Sequence, residues 1–494
     1  MKKFHWDNKW IFILAAIGSA AGLGNLWRFP YQVYDNWGGA FIIAYLVILL
    51  LIWLGLLIWE IALGQYTQKW APYALWSVKK YFKWIGWASI FTAAVILSYY
   101  AVVIGWGLDY LWYSTHSLLT SSALPWANNA KDFFFWNVLQ LTQGIGTLGN
   151  LSIPVLLWTI ATWILIYFAT FKSTKSVGKV VLVTATLPFL TLLILAIRWA
   201  TLPGAMDGLS YLWTIDVDKL WTLSTWVAAA GQIFFTLSLA MWIMIAYGAL
   251  KKPDSEIVQS TILVALGNTI ISFLSAIAVF GTLGYLAMQK WVPVEKVVAG
   301  GPSLVFVTIP ETIHLLPALQ SLFAVIFFIT VFFLAIDSAM SLVEAVGVAL
   351  RDKFKNLKTE ILTLIVVVVL GISSLLYTFG NWLYVLDIVD HFVTAYSMLF
   401  IGVMEAIAFL LIWKKLWEFI DQHNTCLFKA IINKWYFLVS WILSIIVLGY
   451  LLYKNIAWGL SYGGYESSYL VMYGVYTLVG IYGVSILLNL IDKE

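Results

Sequence analysis

The stretch Gly18-Ser-Ala-Ala-Gly-Leu-Gly-Asn-Leu-Trp-Arg-Phe-Pro-Tyr31 places three glycines, an asparagine, an arginine and a proline inside an apolar run long enough to cross a bilayer. Lipid cannot hydrogen-bond freed backbone groups, so such an interruption survives only where it is buried in protein or lines a polar cavity. Carbonyls released at a break are hard oxygen donors that suit an alkali cation without adding charge. The plain alternative is a kinked packing helix, because glycine is common in membrane spans. Asp337 is the second chemical signal. It lies mid-span in an otherwise apolar segment, where an unpaired aspartate costs about 2.5–3.5 kcal/mol on insertion scales. It is expected to face a cation or, failing that, a neighbouring hydroxyl such as Ser338. Asn268 is also mid-span, either as a cation ligand or as an amide bridging two helices.

Composition states what must position these groups. Hydrophobic residues make up 62% of the 494 and charged residues 11%, against about 25% charged in a soluble domain. A spanning helix needs about 20 mostly apolar residues. Twelve such segments are predicted, at roughly 10–35, 39–68, 84–114, 152–171, 178–200, 224–250, 257–289, 318–350, 359–380, 384–414, 431–454 and 468–490. Residues 1–9 are too short and polar for a cleavable signal, so the first span is expected to stay. With the N-terminus inside, the inner segments hold 21 of the 28 lysines and arginines. The positive-inside rule then puts both termini in the cytosol of a cell membrane protein. The net charge of +4 is a topology signal and implies no nucleic acid. Residues 290–317 join the seventh and eighth spans, and their Gly-Gly-Pro-Ser-Leu-Val-Phe-Val-Thr-Ile-Pro310 run is expected to form a short helical hairpin.

Several motifs together carry a resemblance. GSAAGLGNLWRFPY, FFTLSLAMW at 234–242, GPSLVFVTIPE at 301–311, TLPGAMDGL at 201–209, Tyr100 in the third span and Ala-Ile-Asp-Ser338 in the eighth resemble the neurotransmitter:sodium symporter family, in order and essentially end to end. The resemblance implies an all-α membrane protein in a single domain, residues 1–494. It implies a five-plus-five inverted repeat (helices 1–5 at about 10–200, helices 6–10 at about 224–414) with helices 1 and 6 unwound, followed by helices 11 and 12 at about 431–490. It further implies two sodium sites. The first would use Ala20, Asn25, Thr236 and Asn268 with the substrate carboxylate, and the second Gly18, Ala21, Leu334, Asp337 and Ser338.

Substrate class turns, within the resemblance, on Gly22. Members that carry monoamines hold an aspartate at the matching position, whereas glycine leaves room for a substrate carboxylate. The amides of Leu23 and Gly24 would donate to that anion at the start of a half-helix, with Tyr100 on its other oxygen and Ala20, Phe235 and Thr236 near the amine. Ile96, Ser238, Met241, Ala339 and Leu342 would line the side-chain pocket, so a neutral, apolar or small amino acid is expected. Ala240 and Trp242 stand where the family usually has glycines. Helix 6 is therefore expected to unwind less, with Trp242 filling part of the cavity. Tyr45, Gln232, Thr236 and Ser272 would offer a chloride site, since two sodium ions, a zwitterion and Asp337 leave a net +1, and a net charge in low dielectric is expensive. Glu60 is the competing source of that negative charge. Arg28 with Asp390 would form an outer gate, and Lys3 with Asp352 an inner one.

The expected activity is sodium-coupled import of a neutral amino acid by alternating access, with the bilayer and the small-molecule substrate as partners and a monomer or homodimer as the unit. The alternatives are a same-fold sodium-dependent binding protein or sensor with little transport, and a carrier of another small zwitterion or osmolyte. Enzyme chemistry is not expected. The five histidines (His5, His116, His314, His391, His423) are scattered at ends and loops, unlike haem or metal ligands. Gly22-Leu-Gly24 lacks the strand and third glycine of a nucleotide fingerprint, and the lone Cys426 excludes an intramolecular disulfide.

Overall fold

Apolar runs bounded by short polar connections fold into helices because a membrane span must satisfy its own backbone. The computed structural model describes residues 5–354, 356–425 and 429–491. Lys3 and Cys426 lie outside them, and the side chain of Asp352 is likewise not described. Among the described residues there is no strand, only the isolated bridges Gly38–Ile215 and Leu151–Phe379.

The first span, α1, is two helical arms, Lys9–Ala20 and Gly24–Asp35, bent 53° apart. Then follow α2 (Gly39–Thr67), α3 (Lys80–Thr120), α4 (Ile153–Thr170) and α5 (Ser176–Ala200). The sixth, α6, is again two arms, Leu223–Thr236 and Ile243–Ala249, separated by the turn 237–242. The series closes with α7 (Val258–Lys290), α8 (Gln320–Arg351), α9 (Thr359–Thr378), α10 (Trp382–Gln422), α11 (Lys434–Ala457) and α12 (Ser467–Ile491). Ten of these are unbroken and long and apolar enough to cross a bilayer, and the bent pair α1 makes an eleventh. Neither arm of α6 is long enough alone. Together they occupy the sixth expected position.

Local sequence explains the ends. The Asn8 side chain accepts the Ile11 amide and starts α1, and Asn433 accepts those of Trp435 and Tyr436 and starts α11, satisfying donors that no helical carbonyl reaches. The expected hairpin after α7 is instead a 3-10 turn, Val294–Lys296, and one helical run from Gly301 to His314. Pro302 and Pro310 sit early in its helical turns, where a missing amide costs little. The first arm of α1, Lys9–Ala20, packs on α7 and α8, α3 lies along α8, and the second arm of α6 lies on α2. The two breaks therefore meet α3, α7 and α8 in the middle of the bundle.

Candidate functional site

The break in α1 is relaxed. Ala21 turns extended (φ −82°, ψ 96°), and Asn25 reaches back to accept the Gly22 amide at 3.0 Å. Glycine is required here by close approach to α8. A Cβ at Gly18 would stand 2.4 Å from Asp337 Oδ2, and one at Gly22 would stand 2.7 Å from Ser338 Oγ and 3.3 Å from the Tyr100 hydroxyl. Asp337 is 3% exposed, and its Oδ1 has no hydrogen-bond partner. The Ser338 hydroxyl donates to the Ser19 carbonyl at 3.2 Å. Leu334, one turn before Ser338, is buried, as are Gly18 and Ala21. A lone carboxylate oxygen beside freed α1 carbonyls is a donor set that fits a small hard cation.

A second oxygen cluster joins the α1 break to α6 and α7. The Thr236 hydroxyl lies 3.1 Å from Asn25 Oδ1 and 3.2 Å from Asn268 Oδ1, and Asn25 Nδ2 donates to Asn268 Oδ1 at 2.9 Å and to Ser272 Oγ at 2.8 Å. All four residues are buried. The side-chain members of the expected first sodium site are thus assembled, with Ala20 at the adjoining end of the α1 arm.

These clusters border a cavity of about 610 Å3, within the usual range for a small-molecule site. Ala20, Gly22, Leu23, Gly24, Ile96, Tyr100, Phe235, Thr236, Ser238, Met241 and Leu342 all line it. Tyr100 brings its hydroxyl within hydrogen-bonding reach of the Leu23 backbone and of Ser338, so a hydroxyl and amide converge where Gly22 leaves space. Ala339 differs from expectation. It is fully buried and does not line the cavity. Ser338 and Leu342 are one helical turn apart and share a face, and a step of one residue rotates Ala339 off it.

The α6 turn corrects two expectations. Six residues, 237–242, leave the α-helix despite the absence of glycine. Ser238, Ala240 and Trp242 alternate in the left-handed region, with φ of 53°, 61° and 58°. Trp242 does not fill the cavity. It is fully buried on the far side of the turn, where its ring meets α3 (a Cβ at Gly86 would stand 2.8 Å from Cζ3) and its indole N–H donates to Glu405 Oε2 at 3.0 Å. Glu60 Oε1 accepts the Ala240 amide at 2.9 Å, and the Ser89 hydroxyl donates to the Ala240 carbonyl at 2.9 Å. Side chains from α2, α3 and α10 thus grip the turn from behind.

The four expected chloride residues lie in two environments. The Tyr45 hydroxyl and both polar atoms of Gln232 are buried without hydrogen bonds, although Ser272 is beside Tyr45. Thr236 and Ser272 are engaged with the amides of Asn25 and Asn268. Unsatisfied O–H and N–H donors at a buried position suit an anion.

Arg28 and Asp390 both line the cavity but form no ion pair within 4.0 Å among the described residues. The Arg28 guanidinium lies over the Phe235 ring at 4.5 Å, and Asp390 accepts the Tyr99 hydroxyl at 2.5 Å. The cavity reaches the connection residues Gly301–Ser303, Tyr462 and Tyr465, remote from the N-terminus. On the N-terminal side, contacts among the described residues tie the first arm of α1 to its neighbours. The Trp6 indole donates to the Tyr247 carbonyl at 3.1 Å, Ser19 and Ser341 hydroxyls meet at 2.9 Å, and Lys9 reaches Gln259 at 2.8 Å. The Lys3 half of the expected inner pair lies outside the described residues, and so does the Asp352 side chain.

Sequence reasoning missed the cavity wall remote from the N-terminus. Tyr462 and Tyr465 donate to the two oxygens of Asp387 at 2.9 and 3.0 Å, and His391 stacks on Tyr462 with centroids 3.7 Å apart. These tyrosines sit in the Ser-Tyr-Gly-Gly-Tyr connection before α12, which carries no periodic signal. Glu405 was also missed, although a mid-span carboxyl is itself a signal.

The model of the sodium:neurotransmitter symporter family matches residues 3–131 and 120–489. An uncharacterized sodium-dependent transporter of Methanocaldococcus jannaschii is 37% identical over 496 residues, 99% of this chain and 98% of that protein. The sodium- and chloride-dependent GABA transporter 2 of Mus musculus is 33% identical over 437 residues, 82% of this chain and 72% of its own. The sodium-dependent dopamine transporter of Bos taurus is 33% identical over 450 residues, 84% and 64% respectively. Members of this family are transporters and not enzymes. With two interrupted helices around an oxygen-lined cavity and a family match along nearly the whole length, the chain belongs to the sodium:neurotransmitter symporter family and is a sodium-dependent, multi-pass membrane transporter.

Proposed function

We propose that this transporter imports a neutral, apolar or small amino acid by sodium-coupled alternating access. The observation that carries the reading is the crowding at Gly22. An aspartate there would collide with Ser338 and Tyr100, so the amine of a decarboxylated substrate has no counter-ion at this point. The Leu23 and Gly24 amides and the Tyr100 hydroxyl offer donors to a carboxylate instead. Substrate and sodium would then share the Thr236–Asn25–Asn268 cluster, the carboxylate completing the shell of the first ion, which makes their binding reciprocally favourable. Asp337, with the carbonyls of Gly18, Ala21 and Leu334 and the Ser338 hydroxyl, would hold the second ion. Each net charge carried inward gains about 2.3 kcal/mol per 100 mV of membrane potential.

Closure would bring Arg28 to Asp390 above Phe235 and Tyr100, and opening of the opposite side would release the Trp6 and Ser19 contacts. The two five-helix halves would rock against each other, with both termini cytosolic. Chloride would occupy the Tyr45–Gln232–Thr236–Ser272 site and cancel the remaining +1. Uptake unchanged when gluconate replaces chloride would assign that role to Glu60. A sodium-dependent thermal-shift panel tests substrate class: stabilisation by amino acids and none by their decarboxylated amines is expected, and the reverse would overturn it.

A further inference from the structure

The groups that hold the α6 turn are two carboxyls with too few donors. Glu60 on α2 takes the Ala240 amide through Oε1, and Glu405 on α10 takes the Trp242 indole through Oε2. Both side chains are fully buried and lie side by side, bound two residues apart on the same turn. Yet Glu60 Oε2 and Glu405 Oε1 meet no donor. Two carboxylates hydrogen-bond only with a proton between them, and two adjacent negative charges in a buried site repel strongly.

Among the described residues neither carboxyl forms an ion pair. α3 presents the Ser89 and Thr92 hydroxyls, bonded to the Ala240 carbonyl and to Ser397. α11 presents Trp441, bonded to the Ala406 carbonyl. Of the ionisable groups on the packed elements, Tyr436 bonds to the Leu50 carbonyl, Tyr99 bonds to Asp390, and Lys83 lies over the Tyr73 ring. Tyr247, on the second arm of α6, is directed to Ser341.

We propose that Glu60 and Glu405 form a proton-binding site that holds one shared proton behind the α6 turn, and that this proton clamps the turn in its ligand-accepting shape. When the proton leaves, repulsion turns one carboxylate away and frees the Ala240 amide or the Trp242 indole, and the left-handed turn relaxes. Thr236 adjoins that turn and Ser238 lies within it, both lining the cavity, so proton and cation binding are reciprocally coupled. Trp242 is a positioning residue: its indole points the Glu405 carboxyl at Glu60.

Infrared spectroscopy of the purified full-length protein tests this. A protonated-carboxyl stretch is expected, part of which vanishes in Glu60→Gln. The same part vanishes in Glu405→Gln, and the double variant loses no more. Asp337→Asn leaves that part in place. A band intact in either single variant, or two separate losses that add in the double variant, overturns the proposal. Trp242→Phe retains both carboxyls and serves if the glutamine variants do not fold. It is expected to shift the component, and an unmoved band contradicts the site. A second arm rests on the sodium sites proposed above and uses radiolabelled sodium as the probe. Relative to Glu405→Gln at the same pH, in which Asp337 titrates alike, the native protein's affinity is expected to fall about tenfold between about pH 6 and about pH 9. Equal slopes contradict the coupling. If the native protein binds no sodium, the sodium-site reading fails, and the infrared arm still decides the proton site.

Discussion

The two helix breaks expose backbone to one cavity by opposite means. In α1, glycines stand where α8 comes too close for a Cβ, and Asn25 reaches back to accept the Gly22 amide, so the chain bends without a left-handed residue between Ala20 and Gly24. In α6, three residues with side chains adopt φ of 53°, 61° and 58°, each costing about 1–2 kcal/mol. Hydrogen bonds to buried carboxyls, about 1.5–3 kcal/mol apiece, offset that strain. An interrupted span can therefore be encoded by residues that tolerate the break or by distant side chains that impose it. The α1 break is a property of its own segment, whereas the α6 break depends on α2, α3 and α10.

The comparison can be broken in several places. The largest effect is expected for Asp337→Ala, which removes the carboxylate facing α1. Sodium-dependent stabilisation and uptake should be abolished, and retained sodium-dependent uptake would remove Asp337 from its role. Gly22→Ala should follow, because its Cβ meets Ser338 and Tyr100. Amino-acid affinity should drop by about a hundredfold, about 2.7 kcal/mol, measured by equilibrium binding, while the protein still folds. Glu60→Ala should destabilise the fold by about 1–3 kcal/mol, since the Ala240 amide loses its buried acceptor. A lowered midpoint in thermal unfolding would report it.

Two smaller effects sharpen the contrast. Ala240→Gly should relieve strain at φ 61° and stabilise the protein by roughly 1 kcal/mol, whereas a glycine within an ordinary helix destabilises by a similar amount. The sign of the melting shift therefore separates a strained turn from a relaxed one. Lys251, just beyond the second arm of α6, is 5% exposed, lies over the Phe12 ring of α1 at 4.4 Å and donates to the Glu256 carbonyl at 2.5 Å. Burial lowers its pKa to about 8 against its ordinary 10.5, Glu256 opposes that shift, and Lys9 adds to it. The unfolded chain then holds the proton more tightly, so stability should rise slightly as pH climbs from about 8 to about 10.5. In Lys251→Met this rise should flatten in pH-dependent melting curves.

Legibility in the sequence followed the same division. The α1 break was visible because Gly, Asn and Pro inside an apolar run are local signals, and Asp337 was visible because a lone mid-span carboxyl is expensive. The span order was visible for the same reason, with ends displaced where a cap such as Asn433 set the start or where α10 ran on past Lys414 to Gln422. The turn in α6 was not readable from Ser238-Leu-Ala-Met-Trp242, whose residues are compatible with a helix. Its partners Glu60, Ser89 and Glu405 lie 180, 151 and 163 positions away, beyond any periodicity. Trp242 was misplaced for that reason: its size suggested a cavity filler, and only the juxtaposed Glu405 and Gly86 give it a site elsewhere. Ala339 was misplaced by one residue of helical rotation.

The most direct test of sodium and substrate meeting between the two breaks is flux. Full-length protein in liposomes should accumulate a radiolabelled neutral amino acid against its gradient when sodium is imposed outside, and Asp337→Ala liposomes should not. Equal accumulation with potassium in place of sodium, or sodium-dependent binding with no accumulation, would contradict the account.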